Sequence, residues 1–261
     1  MKMTTMFLVL LTTGWMLLSG SLQASGQTAA EISKKSTDAI DLGSMEMDFT
    51  LTIRDHRGNE RVRQITMASG KFGDINKTLI RFTAPADVNG TTILIYDYEN
   101  KDDDMWIYMP ALKKVRRIIS SEKGKSFMGS EFTNADMSKP NQADFQYSIL
   151  ETVEYEGVTC WKIESTGIDQ GIQKASGYSK IISYIDTGNY LCHKVEYYDL
   201  GGKLQRIQQI TDYKEQSANT YFAYHMVMEN VQTKRVSEMV VTNLQTGTVL
   251  TENTFSPTAL Q

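Results

Sequence analysis

Histidine and cysteine are scarce in this 261-residue chain, at three and two copies, and their scarcity removes most of the chemistry a sequence can advertise. His56, His193 and His225 lie far apart, without zinc-ligand spacing. There is no G-x-S-x-G nucleophile elbow, no glycine-rich phosphate loop and no dinucleotide fingerprint. The residues therefore nominate no catalytic group, no metal site and no cofactor. A dominant charge of one sign is missing too: Lys and Arg total 27 against 31 Asp and Glu, a net charge of -4. The balance gives no sign of bulk attraction to nucleic acid or to an anionic membrane, and leaves room for local basic patches. Asp102, Asp103 and Asp104 form an acidic cluster that suits either a hard cation or a solvated turn between strands; the turn is the reading adopted.

Long hydrophobic runs are also lacking. Met6 to Leu18 is mostly apolar but is broken by Thr12, Thr13 and Gly14, and it falls short of the roughly 20 residues of a membrane span. With Lys2 before it and Ala24, Ser25 and Gly26 after it, the run reads as a cleaved secretory signal peptide over residues 1–25, against the alternative of a membrane anchor. Residues 26–261 then form a single soluble β domain, since barrels and sandwiches often run to roughly 200–250 residues as one unit.

What is present is period-two alternation. Met45, Met47, Phe49, Leu51 and Ile53 alternate with Glu46, Asp48, Thr50 and Thr52. The pattern returns in Trp161 and Ile163; in Leu191, His193, Val195 and Tyr197; in Phe222, Tyr224, Met226 and Met228; and in Val236, Val240 and Thr242 around Glu238. Turn signals at Arg57-Gly58-Asn59, Asp186-Thr187-Gly188-Asn189, Leu200-Gly201-Gly202 and Gln245-Thr246-Gly247 separate the runs at hairpin spacing. The chain is an antiparallel meander of about eleven strands that must curl to cover its apolar face. One helix is expected, over Ala29 to Leu42. Methionine is frequent at the inward phase, at Met45, Met47, Met226 and Met228. Such side chains suit an adaptable apolar binding surface, and they equally suit a packed core.

The two cysteines, Cys160 and Cys192, sit on strands separated by the strand from Lys180 to Ile185. Two strand spacings of about 4.8 Å exceed the roughly 7 Å limit between the Cα atoms of a disulfide, so both thiols are expected to be free.

The segment from Asp102 to Met137 is the most individual part of the chain. Trp106 and Tyr108 share one side of a strand, and Met105, Ile107 and Met109 share the other. Lys113, Lys114, Arg116 and Arg117 load the next strand with positive charge. From Ser120 to Asn141 the alternation fails, and a connection of that length is usually functional or disordered. It carries Phe127, Met128 and Phe132, with Gly124 and Gly129 as hinge candidates, and reads as a lid beside an apolar cavity.

Here the sequence resembles a known family. Trp106-Ile107-Tyr108-Met109-Pro110, Lys113-Lys114-Val115-Arg116-Arg117-Ile118 and Ser126-Phe127-Met128-Gly129-Ser130 are similar to motifs of the LolA-like outer membrane lipoprotein-sorting proteins. Arg81-Phe82 with Pro85, Asp87 and Gly90, then Asp136-Met137, Tyr178-Ser179-Lys180 and Ile185-Asp186 extend the resemblance over nearly the whole mature chain. Glu131 stands where the family usually has Asp.

The resemblance implies a mainly β, unclosed antiparallel barrel of the LolA/LolB type, with a helical or loop lid over an apolar cavity. It also implies a monomeric periplasmic carrier for the acyl chains of lipid or lipoprotein, working with an RND-type exporter and without enzymatic activity. A non-transporting accessory module on the same scaffold, bound to an envelope transporter or protein, is the alternative. On the carrier reading the cavity and lid candidates are Met45, Met47, Phe49, Trp106, Tyr108, Phe127, Met128, Met226 and Met228. Arg116 and Arg117 would meet a lipid headgroup or an acidic partner, or else pair with carboxylates on a solvated face. Denatured, unreduced protein is expected to titrate two thiols per chain with an aromatic disulfide reagent; a titration that found none would establish a disulfide.

Overall fold

The computed structural model describes residues 26–99 and 101–260; the signal peptide inferred over residues 1–25 lies outside them. The alternating segments become strands β1 (Met45–Arg54), β2 (Glu60–Phe72), β3 (Ile75–Ala84), β4 (Thr92–Tyr98), β5 (Asp104–Met109), β6 (Lys114–Ile118), β7 (Phe145–Tyr155), β8 (Val158–Gly167), β9 (Tyr178–Asp186), β10 (Cys192–Asp199), β11 (Leu204–Ser217), β12 (Thr220–Asn230) and β13 (Arg235–Thr246). Among the described residues there are two α-helices, α1 (Ala29–Asp38) and α2 (Gln170–Ser176). The strand count is thirteen rather than about eleven, and the class is the expected one.

All thirteen strands form one sheet in the order β6-β5-β4-β3-β2-β1-β13-β12-β11-β10-β9-β8-β7. Every pairing is antiparallel, and every pair but one joins strands consecutive in the chain. The exception is β1 with β13, which welds a six-strand arm to a seven-strand arm. The sheet curls but does not close, because β6 and β7 are its two free edges. They are also consecutive in the chain, so residues 119–144 span the opening.

The inner face of β1 keeps its predicted phase: Met47, Phe49, Leu51 and Ile53 are buried. That of β13 does not. Ser237, Met239 and Val241 are buried while Val240 is 40% exposed, so the set Val236, Val240 and Thr242 faces outward. Valines occupy both phases of this strand, at Val236, Val240 and Val241, so alternation alone does not choose the face; the bulge at Thr242, opposite Asp48 and Phe49, lies beyond them and passes the inward phase from Val241 to Leu244. A second bulge in β10 inserts His193 between Cys192 and Lys194. Cys192 therefore turns inward to the cavity side, on the face opposite Lys194, although strict alternation would give the two one face. Cys160 packs outward with Ile182 and Tyr184. Both cysteines are free.

Helix α1 begins in a capping box: Thr28 Oγ1 accepts the Glu31 N–H at 3.2 Å and Glu31 Oε2 accepts the Thr28 N–H at 2.8 Å. Its buried residues Ala29 and Ile32 pack on Ile163 of β8 and Ile185 of β9. The helix ends at Asp38 rather than Leu42, and the chain then turns where Asp41 Oδ1 accepts the Gly43 N–H. Helix α2 lies outside the expected elements, although its signals are in the sequence. Asp169 caps its start by accepting the Ile172 N–H at 2.9 Å, and Gly177, at φ +83°, ends it. Ile32→Ala should lower the unfolding free energy by about 2–5 kcal/mol, read as a lower urea midpoint at unchanged slope.

Candidate functional site

The interior of the curled sheet is divided lengthwise. At the end holding the β1–β2 and β12–β13 turns it is solid, with Leu51, Ile53, Ile65, Ile80, Phe82 and Met228 buried side by side. Toward the other end the same strands present Met45, Met47, Phe49, Met67, Met226 and Met239, and these surround a cavity of about 810 Å³. Unbranched thioethers on opposing strands leave room that branched residues would fill. The volume lies in the range of about 300–1,000 Å³ usual for small-molecule sites.

The connection between β6 and β7 does two jobs. Its first half is a plug. A tight hairpin, closed by the Phe127 N–H to Phe132 O bond at 2.8 Å and by the Ser126–Thr133 bridge, drives Phe127 into the solid half against Phe82, with ring centroids 5.8 Å apart. Three arginines hold the hairpin tip by its carbonyls. Arg63 donates to Met128 O, Arg235 to Gly129 O at 2.7 Å and Arg206 to Glu131 O at 2.7 Å. The Glu131 carboxylate is buried, pairs with Arg235 at 3.0 Å and accepts from Asn230 at 2.9 Å, and its N–H donates to Ser237 Oγ at 2.8 Å. The second half lines the cavity through Thr133, Asp136, Met137, Ser138 and Lys139. Asp136 accepts the Thr133 N–H at 2.6 Å, and burial pushes its carboxyl up from the usual range.

The mouth is polar. Lys123 pairs with Asp103 at 3.0 Å and Lys139 with Asp41 at 2.6 Å; Ser138 donates to Asp103, and the Lys139 N–H donates to Asp97 at 3.1 Å. The Asp97 carboxyl is pushed up to about 6, first by burial and then by the neighbouring charge of Asp103, against the opposing pull of Lys139 and Lys123.

Of the predicted residues, Met45, Met47, Phe49 and Met226 line this cavity. Met228 does not: it is fully buried in the solid half. Phe127 and Met128 belong to the plug instead of a lid over the cavity, since the hairpin points away from the mouth and its tip is clamped; Phe132, beside them, does reach the cavity. Trp106 and Tyr108 lie on the opposite face of the sheet from the cavity. There they pack with Leu94, Tyr96, Phe255 and Leu260 beneath the C-terminal segment, which is fastened by the Tyr96 hydroxyl to Phe255 O and by Lys77 to Glu252. Gly124 is a packing position rather than a hinge, because a Cβ there would lie 2.8 Å from Ala175 O and 2.9 Å from Ser176 O of α2. Gly129 is needed for its φ of +82° in the hairpin tip. Arg116 pairs with Glu122 at 2.6 Å and Arg117 with Asp104, at side chains 51% and 60% exposed.

Asp97 gives a testable pH signature. Its folded-state pKa lies above the unfolded value, so the folded protein binds the extra proton and its stability falls as pH rises from about 4 through about 6. Asp97→Asn should melt higher than the parent at pH 7.5, with the gap closing toward pH 4.

Comparison with known proteins agrees with this architecture. A family model described as "-like: Uncharacterized protein" matches residues 74–261. No curated protein matches the chain. Among solved structures, an outer membrane lipoprotein-sorting protein domain from Vibrio parahaemolyticus is 30% identical with a TM-score of 0.83, over 89% of this chain and 97% of that one. A DUF1329 family protein from Desulfovibrio piger is 26% identical with a TM-score of 0.82, over 89% and 98%. A LolA superfamily protein from Nitrosomonas europaea shares the fold at 19% identity and a TM-score of 0.71, over 88% and 98%. With thirteen strands in one unclosed sheet of LolA-like fold around an apolar cavity, and a relative 30% identical along almost its full length, the chain belongs to the outer membrane lipoprotein-sorting protein family.

Proposed function

We propose that this protein is a periplasmic carrier that shelters acyl chains of a lipid or lipoprotein in the methionine-lined cavity and receives or delivers them at an RND-type exporter. The observation that carries the reading is the cavity itself: about 810 Å³ of mainly apolar space, opening through a polar mouth, in a sheet whose opposite end is packed solid. The name of the Vibrio relative, an outer membrane lipoprotein-sorting protein domain, points the same way.

The energetics set the mode of holding. Burying methylenes is worth about 0.8 kcal/mol each, or roughly 12 kcal/mol gross for a sixteen-carbon chain. Several chains fully sequestered in a rigid pocket would approach the ceiling of non-covalent affinity and would not be released. A cavity walled by methionine and bordered by the segment Thr133–Asn141 and α1 binds loosely enough to let go, because its side chains adapt instead of locking. The mechanism is binding and release; no bond is made or broken.

The paired Arg116 and Arg117 fit a contact in which an acidic partner or headgroup competes with Glu122 and Asp104 for the guanidinium groups. Exposed pairs of this kind are worth at most about 1 kcal/mol, so such an exchange is cheap. Native mass spectrometry of protein purified from the periplasm should show co-purifying lipid that is lost when cavity residues are filled, as in Met47→Trp. A consistently empty cavity with a stably bound protein partner would favour the accessory-module reading.

A further inference from the structure

The cavity stops short of the solid half at a boundary shared by four neighbouring strands, β2, β1, β13 and β12. On β1 its lining ends at Phe49, ahead of Leu51; on β12 at Met226, ahead of Met228; on β13 at Met239, ahead of Ser237; and on β2 at Met67, ahead of Ile65. Because the strands are adjacent, these residues make one continuous floor. The space narrows toward it: along β1, exposure falls from 7% at Met47 to 2% at Phe49 and 0% at Leu51. Behind the floor, Met228 and Ser237 are fully buried, and the buried ring of Phe127 packs against Phe82 on the hairpin that three arginines hold. The opposite end is the polar mouth, where Asp103 pairs with Lys123 and Asp41 with Lys139. An amphiphile therefore enters tail first, with its polar group left at the mouth.

Floor and walls differ in what they tolerate. A close-packed interior resists added volume, so the solid half does not admit further methylenes. The methionine walls adapt. We propose that the protein gauges its acyl cargo by length, with the terminal methyl of the chain resting on Phe49, Met226 and Met239, and that these three residues set the length it prefers. From Met45 to Phe49 the lined stretch of β1 spans about 14 Å at the rise of a strand. One leaflet contributes about 15 Å to a bilayer core, so the gauge reads roughly twelve to sixteen carbons. A chain that stops short leaves the floor without contact atoms. A longer chain keeps its extra methylenes at the mouth, where they gain nothing from burial.

The length gauge rests on the carrier reading, and its test separates the two. Wild-type protein is loaded with a pyrene-labelled fatty acid, which is displaced by 1-monoacylglycerols from octanoyl to stearoyl, each kept below its aggregation limit. Affinity should rise by about fourfold per methylene until the chain reaches the floor, and then stop rising. Phe49→Ala leaves a cavity worth about three methylenes and should move the stop by that much toward longer chains, with the affinities of the shortest members unchanged. Met226→Trp fills the floor and should move the stop toward shorter chains. Affinity that keeps rising through stearoyl, or a stop that neither variant moves, overturns the gauge and leaves the carrier reading standing. Failure of the probe and of every member to bind overturns both. If Phe49→Ala does not fold, the shift in Met226→Trp decides the question.

Discussion

The ladder between β1 and β13 is the interaction on which the rest of the molecule depends. Every other strand pair is a local hairpin, formed between neighbours in sequence at small loop-closure cost. The β1–β13 pair joins residues such as Met45 and Thr246 across most of the chain. It turns two separate meanders into one curved wall, and it sets Met47 and Phe49 beside Met239 and Val241 on one inner face. Because this pairing places the first and last strands in the middle of the sheet, the two free edges fall to β6 and β7, and the connection between them must cross the opening.

That crossing explains why one loop is so heavily fastened. An open sheet has nothing to close its solid end, and the hairpin around Phe127 supplies an apolar plug there. Its backbone would otherwise bring unpaired carbonyls into a dry interior. Arg63, Arg206 and Arg235 reach in from β2, β11 and β13 to satisfy them, so the two arms of the sheet are also tied together through the loop. With one end thus sealed, access to the cavity is left to the polar mouth, where Asp97, Asp103, Lys123 and Lys139 compensate one another.

Much of this was legible in the residues, and the misses share a cause. The meander, the inward methionines of β1 and the free thiols follow from alternation and spacing, which are local. Trp106 and Tyr108 were assigned the wrong setting because β5 is apolar on both faces. Only the distant C-terminal residues Phe255 and Leu260 reveal that the outer face is also covered. The Phe127 hairpin looked like a lid because sequence shows apolar groups in a loop without showing where they point; the partners that fix it lie on three remote strands. The bulge in β10 adds one residue, which is enough to invert a face, and β13 carries valine on both of its faces, so its pattern does not choose between them. Tyr178, which also lines the cavity, reads in the sequence as an ordinary strand aromatic.

The gap between β6 and β7 has a mechanical meaning. A closed barrel can change its girth only by breaking or shearing ladder hydrogen bonds. This sheet has a seam that is bridged by covalent chain and side-chain clasps, with no ladder across it. Its circumference can grow or shrink by small changes of curvature spread over twelve intact ladders, while the bridging loop pays out or takes up slack on the mouth side of its clamped tip. The sheet is therefore built like a split ring, whose girth can change while its twelve ladders stay intact.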